Sequence, residues 1–416
     1  MKILHVLNGA IGGASISTLD LIDGLAARGH QSFIYCSARV SAEAKKELER
    51  RSKVPVYFGP LYFWNLRNRK PLVLRPLIEL YQLACTRGLH KSSTLIAQLC
   101  GDLKIDLIHS STAMSPDGAI AACQLGLPHV WHVREMIGPG QLHRLAGDNR
   151  GAAARRMQRT GFVIANSESS CQALFGTSAA PPGVAVVHNG FDFSRLPASL
   201  SEPLSDGRVA FGMVANLSST WKRHELFLRA AAIVAKAHPT ARFKLYGEIP
   251  AEKSSPEARA YYQGLQVIVA ELGIERQLDF CGYQADVASI MAAVDVVVHP
   301  CESESFGRVF VEASAAGRAL IAARGGAAPE IIHDGETGVL VPPGDVSALA
   351  DAMLTLLAQP EYARGMAAKA QHHVRQNYDL TVSSQRIEAI YEEAHRQAAS
   401  GPGPQGFLTA LWRTLH

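Results

Sequence analysis

The sequence predicts an α/β protein made of two parallel βαβ domains that follow one another along the chain. Its 416 residues suffice for about two domains of about 200 residues each. Short apolar runs alternate with helical patterns. This alternation breaks at a Ser- and Pro-rich segment, 194–208, and then begins again. Because ligands of such sheets bind beyond the carboxyl ends of the strands, two facing sheets would form a cleft.

The first domain is expected over residues 1–195. It begins with a strand at Lys2–Leu7, a glycine turn at 8–13 and a helix at Ser17–Arg28, which Gly29 ends. Helical segments separate the later strands, which indicates a parallel sheet. The further strands are expected at Gln31–Cys36, Leu107–His109, His129–Val133, Phe162–Ala165 and Val184–Val187.

The second domain is expected over residues 205–378 and repeats the same alternation. Strands are expected at Val209–Val214, Phe243–Tyr246, Leu278–Cys281, Val294–Val298 and Ala319–Ala322, and helices at His224–Ala237, 256–272, 285–293, Phe306–Ala316 and Val346–Ala358. A final helix is expected at 379–397, returning to the first domain. The tail, 400–416, has Phe407, Leu411 and Trp412 at helical spacing, so it is either an amphipathic helix or a frayed end.

The composition excludes intrinsic disorder for most of the chain, since 47% of the residues are hydrophobic and 19% are charged. The net charge of +4 hides an uneven distribution. Residues 1–200 have 22 Lys/Arg and 13 Asp/Glu, whereas residues 201–416 have 19 and 24. A basic half fits an anionic partner, either a membrane surface, a phosphorylated acceptor or nucleic acid, although a solvated face is the plain alternative.

Seven widely spaced cysteines without a Cys-x-x-Cys pair indicate reduced thiols in a cytoplasmic protein, with no zinc or disulfide framework. The first apolar run is too short for a signal peptide. No stretch of about 18 apolar residues occurs, so any membrane contact would be peripheral, at the inner face of the cytoplasmic membrane.

The most informative segment follows the strand that ends at Val298. Glu302 and Glu304 lie in a loop, and a helix then begins near Phe306 and contains Glu312. The N-terminus of a helix can bind phosphate, and Gly307 lets a ligand approach the backbone. Carboxylates accept hydrogen bonds from the vicinal hydroxyls of a sugar. The alternative is that these acids merely stabilise the helix dipole.

A second segment, Met213 to Glu225, also follows a strand and opens a helix. Lys222 in this segment could bind a diphosphate as a point charge, although an exposed lysine is the plain alternative. Gly12-Gly13 follows the first strand, but the spacing is not Gly-x-Gly-x-x-Gly and the second strand ends in Ser37 rather than an acid. This pattern argues against a nicotinamide enzyme.

Together these segments resemble the retaining glycosyltransferases of family four, glycosyl transferases group 1, which have the two-domain GT-B fold. The resemblance covers about residues 1–395 and is strongest at 278–345. There, Glu304 and Glu312 are separated by seven residues, Gly325-Gly326 precedes Glu330, and Gly338 precedes Gly344-Asp345. Gly12-Gly13-Ala14, Asn166-Ser167-Glu168 and Asn189-Gly190 are further matches.

The resemblance implies a role for each matching residue. Glu312 would bind the ribose hydroxyls and Glu304 the hydroxyls of the donor sugar, while the amides of Phe306 and Gly307 would contact sugar and phosphate. Lys222 would neutralise the diphosphate leaving group. Gly13 would let the first domain approach the donor phosphates. Tyr283 and Glu248 would lie near the base.

This chain departs from the family pattern at two positions. Asn216 stands where the family often has an Arg, so Arg223 or Arg308 would have to supply the second positive charge. Arg134 stands where the family often has a His, with His132 two residues earlier. An arginine there would bind an anion of the acceptor rather than act as a base.

The implied reaction is transfer of a sugar from a UDP- or GDP-sugar to an acceptor hydroxyl with retention, in polysaccharide, lipopolysaccharide or glycolipid assembly. No cofactor or metal is demanded. A nucleotide-sugar 2-epimerase of the same fold and a non-catalytic nucleotide-sugar-binding protein are the alternatives. Basic and apolar residues interleave around Arg67, Arg69 and Lys70, which favours a carbohydrate or lipid-linked acceptor at a membrane over nucleic acid.

Overall fold

The computed structural model describes residues 1–9, 12–67, 75–138, 141, 143–145, 151–177, 179–196 and 209–400. The chain divides into two compact units. The N-terminal unit comprises Met1–Phe191 and the residues from Leu380 onward, and the C-terminal unit comprises Asp192–Asp379. Most of the expected linker, from residue 197 to residue 208, lies outside the described residues.

The described part of the N-terminal unit contains a parallel sheet of seven strands in the order β3-β2-β1-β5-β6-β8-β9. Two short strands, β4 and β7, pair antiparallel beside it. The strands are β1 Lys2–Leu7, β2 Gln31–Ser37, β3 Val56–Gly59, β4 Asn65–Arg67, β5 Leu107–Ser110, β6 His129–Val133, β7 His143–Leu145, β8 Phe162–Ala165 and β9 Val184–Val186. The helices are α1 Gly13–Ala27, α2 Ala42–Arg51, α3 Arg75–Leu103, α4 Asp117–Leu125, α5 Ala152–Thr160, α6 Glu168–Phe175 and α14 Leu380–Ser400.

Helices cover both faces of this sheet, as its central strand shows. Ile3 packs in one apolar cluster and the next residue, Leu4, packs in another. Successive side chains of a strand point to opposite faces, so a strand that is buried throughout needs cover on both sides. The largely apolar run in β1, interrupted by the buried His5, is the sequence signature of this burial.

The last described helix, α14, completes the N-terminal unit. Ile387, Ile390 and Tyr391 of α14 share an apolar cluster with Leu21 and Leu25 of α1. The Tyr391 hydroxyl lies 2.7 Å from Nδ1 of His109. The expected return of the C-terminal helix is therefore present.

The described part of the C-terminal unit contains a parallel sheet of six strands in the order β12-β11-β10-β13-β14-β15. The strands are β10 Ala210–Val214, β11 Arg242–Tyr246, β12 Leu278–Gly282, β13 Val296–His299, β14 Ala319–Ala323 and β15 Val339–Val341. The helices are α7 His224–Ala237, α8 Pro256–Leu272, α9 Val287–Ala292, α10 Arg308–Ala315, α11 Ala328–Ile331, α12 Val346–Ala358 and α13 Pro360–Asn377.

This strand order is that of a doubly wound sheet, and the α/β prediction is confirmed for both units. The order reverses between β10 and β13, which are hydrogen-bonded neighbours although two strands separate them in sequence. Ligands of doubly wound sheets bind at this reversal, outside the carboxyl ends of the strands. The two loops that leave β10 and β13 are therefore the place to look for a site.

Several elements have no counterpart in the sequence predictions, because their apolar patterns are weak. Helix α2 is mostly charged and fully buries Leu48 alone among its residues. Helix α13 buries a stripe made largely of alanine, including Ala363, Ala367 and Ala370. The edge strands β3 and β15 have only four and three residues. Among the described helices, none is both long enough and apolar enough to cross a membrane.

Candidate functional site

Lys222 and Glu304 meet at the reversal of the C-terminal sheet. Lys222 ends a short 3-10 turn, Thr220–Lys222, in the loop after β10, and Glu304 lies in the loop after β13. The Nζ atom of Lys222 is 2.5 Å from Oε2 of Glu304. Their side chains are 19% and 15% exposed, so the pair is largely removed from water but still reachable.

Both members of this pair are charged at neutral pH. Burial raises the pKa of Glu304, but the charge of Lys222 and the hydrogen bonds from His299 and Lys222 outweigh burial and bring this pKa well below its ordinary value. Burial lowers the pKa of Lys222, and the charge of Glu304 outweighs it and raises this pKa. The site therefore holds a permanent ammonium where β10 and β13 end.

Two further side chains of the β13 loop surround Glu304. Nε2 of His299 lies 3.0 Å from the same Oε2 atom. Burial lowers the pKa of His299, so this ring is neutral and donates from Nε2. Cys301 is fully buried, and burial raises the pKa of its thiol to about 12. A ring nitrogen, a sulfur and an ammonium thus lie around the carboxylate.

Two glycines shape the loop, because a side chain would not fit at either position. Gly307 has φ 81° and precedes α10, and a Cβ atom there would lie 2.3 Å from the Phe310 ring. Gly326 has φ 53°, and its Cβ would lie 2.3 Å from the carbonyl oxygen of Glu304. Left-handed φ values and this lack of space both require glycine. The Gly325-Gly326 turn is thus a support that packs against the Glu304 loop.

Glu312, the other acid of the predicted pair, lies within α10 and is paired with Arg308 one turn earlier. Nε of Arg308 is 3.1 Å from Oε1 of Glu312, and the two side chains are 16% and 14% exposed. A spacing of four residues places such side chains side by side on a helix. The Phe306 side chain is buried beside Tyr378, so Phe306 has only its backbone available to a ligand.

Asn216 and Arg223 lie on either side of Lys222 in the chain. The Asn216 side chain accepts hydrogen bonds from the backbone nitrogen and hydroxyl of Ser218 at 3.0 and 2.8 Å, so it stabilises a turn. Arg223 donates to Glu302, with an Nη2–Oε1 distance of 2.5 Å, and its side chain is 44% exposed. The candidate second cations, Arg223 and Arg308, are therefore both held by carboxylates.

Glu248 and Tyr283 follow the neighbouring strands β11 and β12, at the same edge of the sheet. Both are exposed, and Tyr283 is 49% exposed. The backbone nitrogen of Gly247 donates to the carbonyl of Gly282 at 3.0 Å, which ties the two strand ends together. An accessible aromatic ring beside an accessible carboxylate suits the edge and face of a nucleobase.

In the N-terminal unit, Gly13 begins α1 just after β1. His132 and Arg134 lie at the end of β6 and are 1% and 6% exposed. Nδ1 of His132 is 3.2 Å from Nε2 of His109 and 3.2 Å from Nη2 of Arg134. Arg134 also donates from Nη1 to Oδ1 of Asn189 at 2.5 Å.

Two sequence predictions fall on parts that the structure does not describe. The side chains of Arg67, Arg69 and Lys70 lie outside the described residues, as does the tail beyond residue 400. Peripheral membrane contact by this basic segment remains a prediction.

Sequence comparison agrees with this geometry. A family model described as Glycosyltransferase Family 4 matches residues 11–195, and one described as Glycosyl transferases group 1 matches residues 208–359. A D-inositol 3-phosphate glycosyltransferase of Streptomyces scabiei is 30% identical over 315 residues, which cover 70% of this chain and 68% of that protein. The chain belongs to the family 4 glycosyltransferases. The D-inositol 3-phosphate glycosyltransferase of Corynebacterium efficiens is 27% identical, over 75% of this chain and 77% of that protein.

Solved structures place this glycosyltransferase among enzymes of the GT-B fold. Anabaena HepE in complex with UDP-glucose has a TM-score of 0.74 and 25% identity, covering 94% of this chain and all of that one. Sucrose-phosphate synthase of Thermosynechococcus elongatus has a TM-score of 0.70 at 18% identity, covering 95% and 99%. The family 4 enzyme thus takes a nucleotide sugar as its donor and transfers the sugar to an acceptor.

Proposed function

We propose that this glycosyltransferase transfers a hexose or N-acetylhexosamine from a nucleotide diphosphate sugar to an acceptor hydroxyl with retention of anomeric configuration. Its proposed setting is the assembly of a polysaccharide, lipopolysaccharide or glycolipid. The observation that carries this proposal is the Lys222–Glu304 pair at the reversal of the C-terminal sheet.

Lys222 is proposed to stabilise the leaving diphosphate. Its raised pKa keeps the ammonium charged, and its side chain is 19% exposed, so a phosphate oxygen can share it with Glu304. The first backbone N–H groups of α10 lie at the end of the same loop and add a second positive field. Donors that are fixed before the reaction stabilise developing charge at little reorganisation cost.

The carboxylates are proposed to hold the donor. Glu304 would accept hydrogen bonds from hydroxyls of the sugar, and Glu312, oriented by Arg308, would accept from the ribose hydroxyls. Arg223, Asn216 and the amides of Phe306 and Gly307 would border the phosphates. The exposed Tyr283 ring and Glu248 would contact the base. HepE was solved with UDP-glucose, so UDP-sugars are the first donors to test, followed by GDP-sugars.

Retention is proposed to follow attack of the acceptor oxygen on the same face from which the diphosphate leaves. The bond between the anomeric carbon and the phosphate oxygen breaks, and a bond to the acceptor oxygen forms. The acceptor proton passes to an oxygen of the departing diphosphate, so no protein base is needed. Lys222 and the α10 N-terminus stabilise the charge on the leaving group, and positioning supplies much of the remaining acceleration.

The acceptor is proposed to bind to the N-terminal unit, bordered by His132 and Arg134, whereas Gly13 is proposed to let this unit approach the donor phosphates. Only 6% of Arg134 is exposed, so this residue can contact one anionic group but does not form a broad basic surface. The curated relatives are named for D-inositol 3-phosphate, a phosphorylated polyol. That name makes inositol 3-phosphate the first acceptor to test, beside sugars and lipid-linked diphosphates.

The test is incubation with a panel of UDP- and GDP-sugars and these acceptors, scored for released nucleoside diphosphate and for the anomeric configuration of the product. We expect transfer by the native protein and a loss of about 10²–10³-fold in Lys222→Ala, since one transition-state contact is removed. Glu312→Ala should lose most transfer as well. Lys369→Ala, at an exposed lysine of α13, is the matched control and should retain full activity.

Near-native transfer in both Lys222→Ala and Glu312→Ala would contradict the proposal. A native protein that releases an epimerised sugar without an acceptor would be a 2-epimerase. Binding of a nucleotide sugar without any turnover would indicate a non-catalytic protein. The contacts of the described residues favour neither alternative.

A further inference from the structure

Glu304 lies in a cluster of three potential metal ligands. The other two, His299 and Cys301, have no proposed role in donor binding. Among the described residues, His299, Cys301 and Glu304 each offer one nitrogen, sulfur or oxygen atom, and these three atoms all lie within 4.8 Å of one another. His299 and Cys301 are 1% and 0% exposed, so the cluster is a fixed part of the protein interior rather than a chance meeting of surface side chains.

We propose that His299, Cys301 and Glu304 form a binding site for a soft divalent cation such as Zn²⁺, and that this ion competes with the Lys222 ammonium for Glu304. Zinc proteins use these three ligand types, often as three protein ligands with one open position. Nitrogen and sulfur ligands select Zn²⁺ over Mg²⁺, which prefers oxygen.

The spacing of the ligand atoms suits a tetrahedral ion after small movements. Zn–N and Zn–O bonds of about 2.0–2.2 Å place two ligand atoms about 3.4 Å apart in a tetrahedron. Nε2 of His299 and Oε2 of Glu304 are 3.0 Å apart, and the outer limit for all three ligand atoms is 4.8 Å. The His299 ring also packs edge-on against Phe310, with ring centroids 5.3 Å apart, which fixes its orientation.

Lys222 is the competitor because its ammonium already lies 2.5 Å from Oε2 of Glu304. When Zn²⁺ binds, the ammonium leaves the carboxylate and moves toward water, which its 19% exposure permits. A Zn–S bond forms as the S–H bond of Cys301 breaks, and the proton goes to solvent. A Zn–N bond forms at Nε2 of His299 as its proton leaves, and Nδ1 takes up a proton, so the ring stays neutral. Before zinc binds, the Lys222 ammonium balances the Glu304 carboxylate. After zinc binds, Zn²⁺ is balanced by the Cys301 thiolate and the Glu304 carboxylate, so no unpaired charge is buried in either state.

Bound zinc would therefore oppose donor binding, because it displaces the Lys222 ammonium that the diphosphate of the donor needs near Glu304. Inhibition of transfer by zinc rests on the proposed function, whereas zinc binding itself does not. The lack of a Cys-x-x-Cys pair predicts no zinc site, but the spacing His299-x-Cys301-x-x-Glu304 brings three potential ligands together without such a pair.

The test is titration of the full chain with zinc chloride, without nucleotide sugar, by calorimetry. A parallel titration with Co²⁺ reports sulfur coordination through its thiolate charge-transfer absorption. We expect one ion with a cobalt–thiolate band in the native protein, and affinity weakened about tenfold or more in Cys301→Ser, with loss of the band. Lys222→Ala should bind zinc about tenfold more tightly, because the competing charge is removed.

Two further variants make the result decisive. His299→Gln tests the nitrogen ligand if Cys301→Ser fails to fold, as judged by circular dichroism. His372→Asn removes an exposed histidine of α13 and should leave affinity unchanged. Native protein that binds no zinc, equal affinity in the native and Cys301→Ser proteins, or no tightening in Lys222→Ala would each overturn the proposal. Zinc binding without sugar transfer would leave this site standing and reject the proposed function alone.

Discussion

Oε2 of Glu304 is approached by two nitrogen atoms, Nζ of Lys222 at 2.5 Å and Nε2 of His299 at 3.0 Å. Lys222 comes from the loop after β10 and His299 ends β13. One oxygen atom therefore ties together the two loops that form the site. The pair should contribute to the stability of the C-terminal unit as well as to its chemistry.

A double-mutant cycle measures this contribution. Lys222→Ala should lower the free energy of unfolding by about 1–3 kcal/mol. The Glu304 carboxylate, which is 15% exposed, loses its charged partner and keeps the hydrogen bond from His299. Adding Glu304→Gln should recover part of the loss, since the unpaired charge is removed. Hydrogen exchange of β10 and β13 in urea measures both changes. Strict additivity of the two substitutions would show that the pair is not coupled.

The support of the Glu304 loop by Gly326 gives a second prediction. Gly326→Ala places a Cβ 2.3 Å from the Glu304 carbonyl oxygen at a left-handed φ, so the loop must move. We expect about 1–3 kcal/mol of destabilisation and a larger fractional loss of sugar transfer than of nucleotide binding.

Gly365→Ala is the matched control, because this glycine lies within α13 and a Cβ there meets no atom within 4 Å. It should stabilise the protein by about 0.5–1 kcal/mol and leave transfer unchanged. Thermal unfolding and the transfer assay measure both variants. Equal behaviour of the two would mean that the close approach at Gly326 has no effect.

The elements with a clear apolar pattern were predicted most closely from the sequence. The strands β6, β8 and the helices α7, α8 and α12 were predicted within a residue at each end, because strong apolar periodicity defines them. Family spacing predicted Glu304, Glu312 and Lys222 as site residues. It did not reveal that Arg308 pairs with Glu312, although a spacing of four residues on a helix predicts such pairs.

Other features depend on contacts between distant residues, which local patterns do not contain. The Gly325-Gly326 turn looks like ordinary turn chemistry in the sequence, yet Gly326 packs on Glu304, which is 22 positions earlier in the chain. The contact of His132 with His109 joins β6 to its hydrogen-bonded neighbour β5, so it depends on which strands pair rather than on the local sequence.

Buried histidines give a third prediction, on pH. Burial lowers the pKa of His5, His109, His129 and His132, to about 3 for His5 and His129, and the Arg134 charge adds to the effect at His5, His109 and His132. Above pH 6.5 these rings are neutral in both the folded and unfolded chains. As the pH falls below 6.5, the unfolded chain takes up protons that the folded chain excludes. The four histidines therefore make the N-terminal unit less stable on acidification, whereas Asp117 and Glu135, whose pKa values burial raises, act in the opposite direction.

The expected loss is about 1.4 kcal/mol per pH unit for each of His5 and His129 between pH 6 and pH 4. In His129→Gln, the slope of the unfolding free energy against pH should fall by the contribution of one titrating histidine. The substitution also removes the ring that lies 2.9 Å from the Ser110 hydroxyl. Hydrogen exchange of β1 and β5 at several pH values gives the slope. A slope that is the same in the variant as in the native protein would contradict the assignment.

The docking of α14 on α1 has a consequence for the order in which the protein is made. During translation, α1 and β1 leave the ribosome first, but Tyr391 and Ile387, which cover them, are synthesised after the whole C-terminal unit. Until then, Leu21, Leu25 and the His109 ring lack the cover that α14 provides. The unit that starts first is finished last, and the apolar surface that α14 covers needs protection from aggregation in the nascent chain.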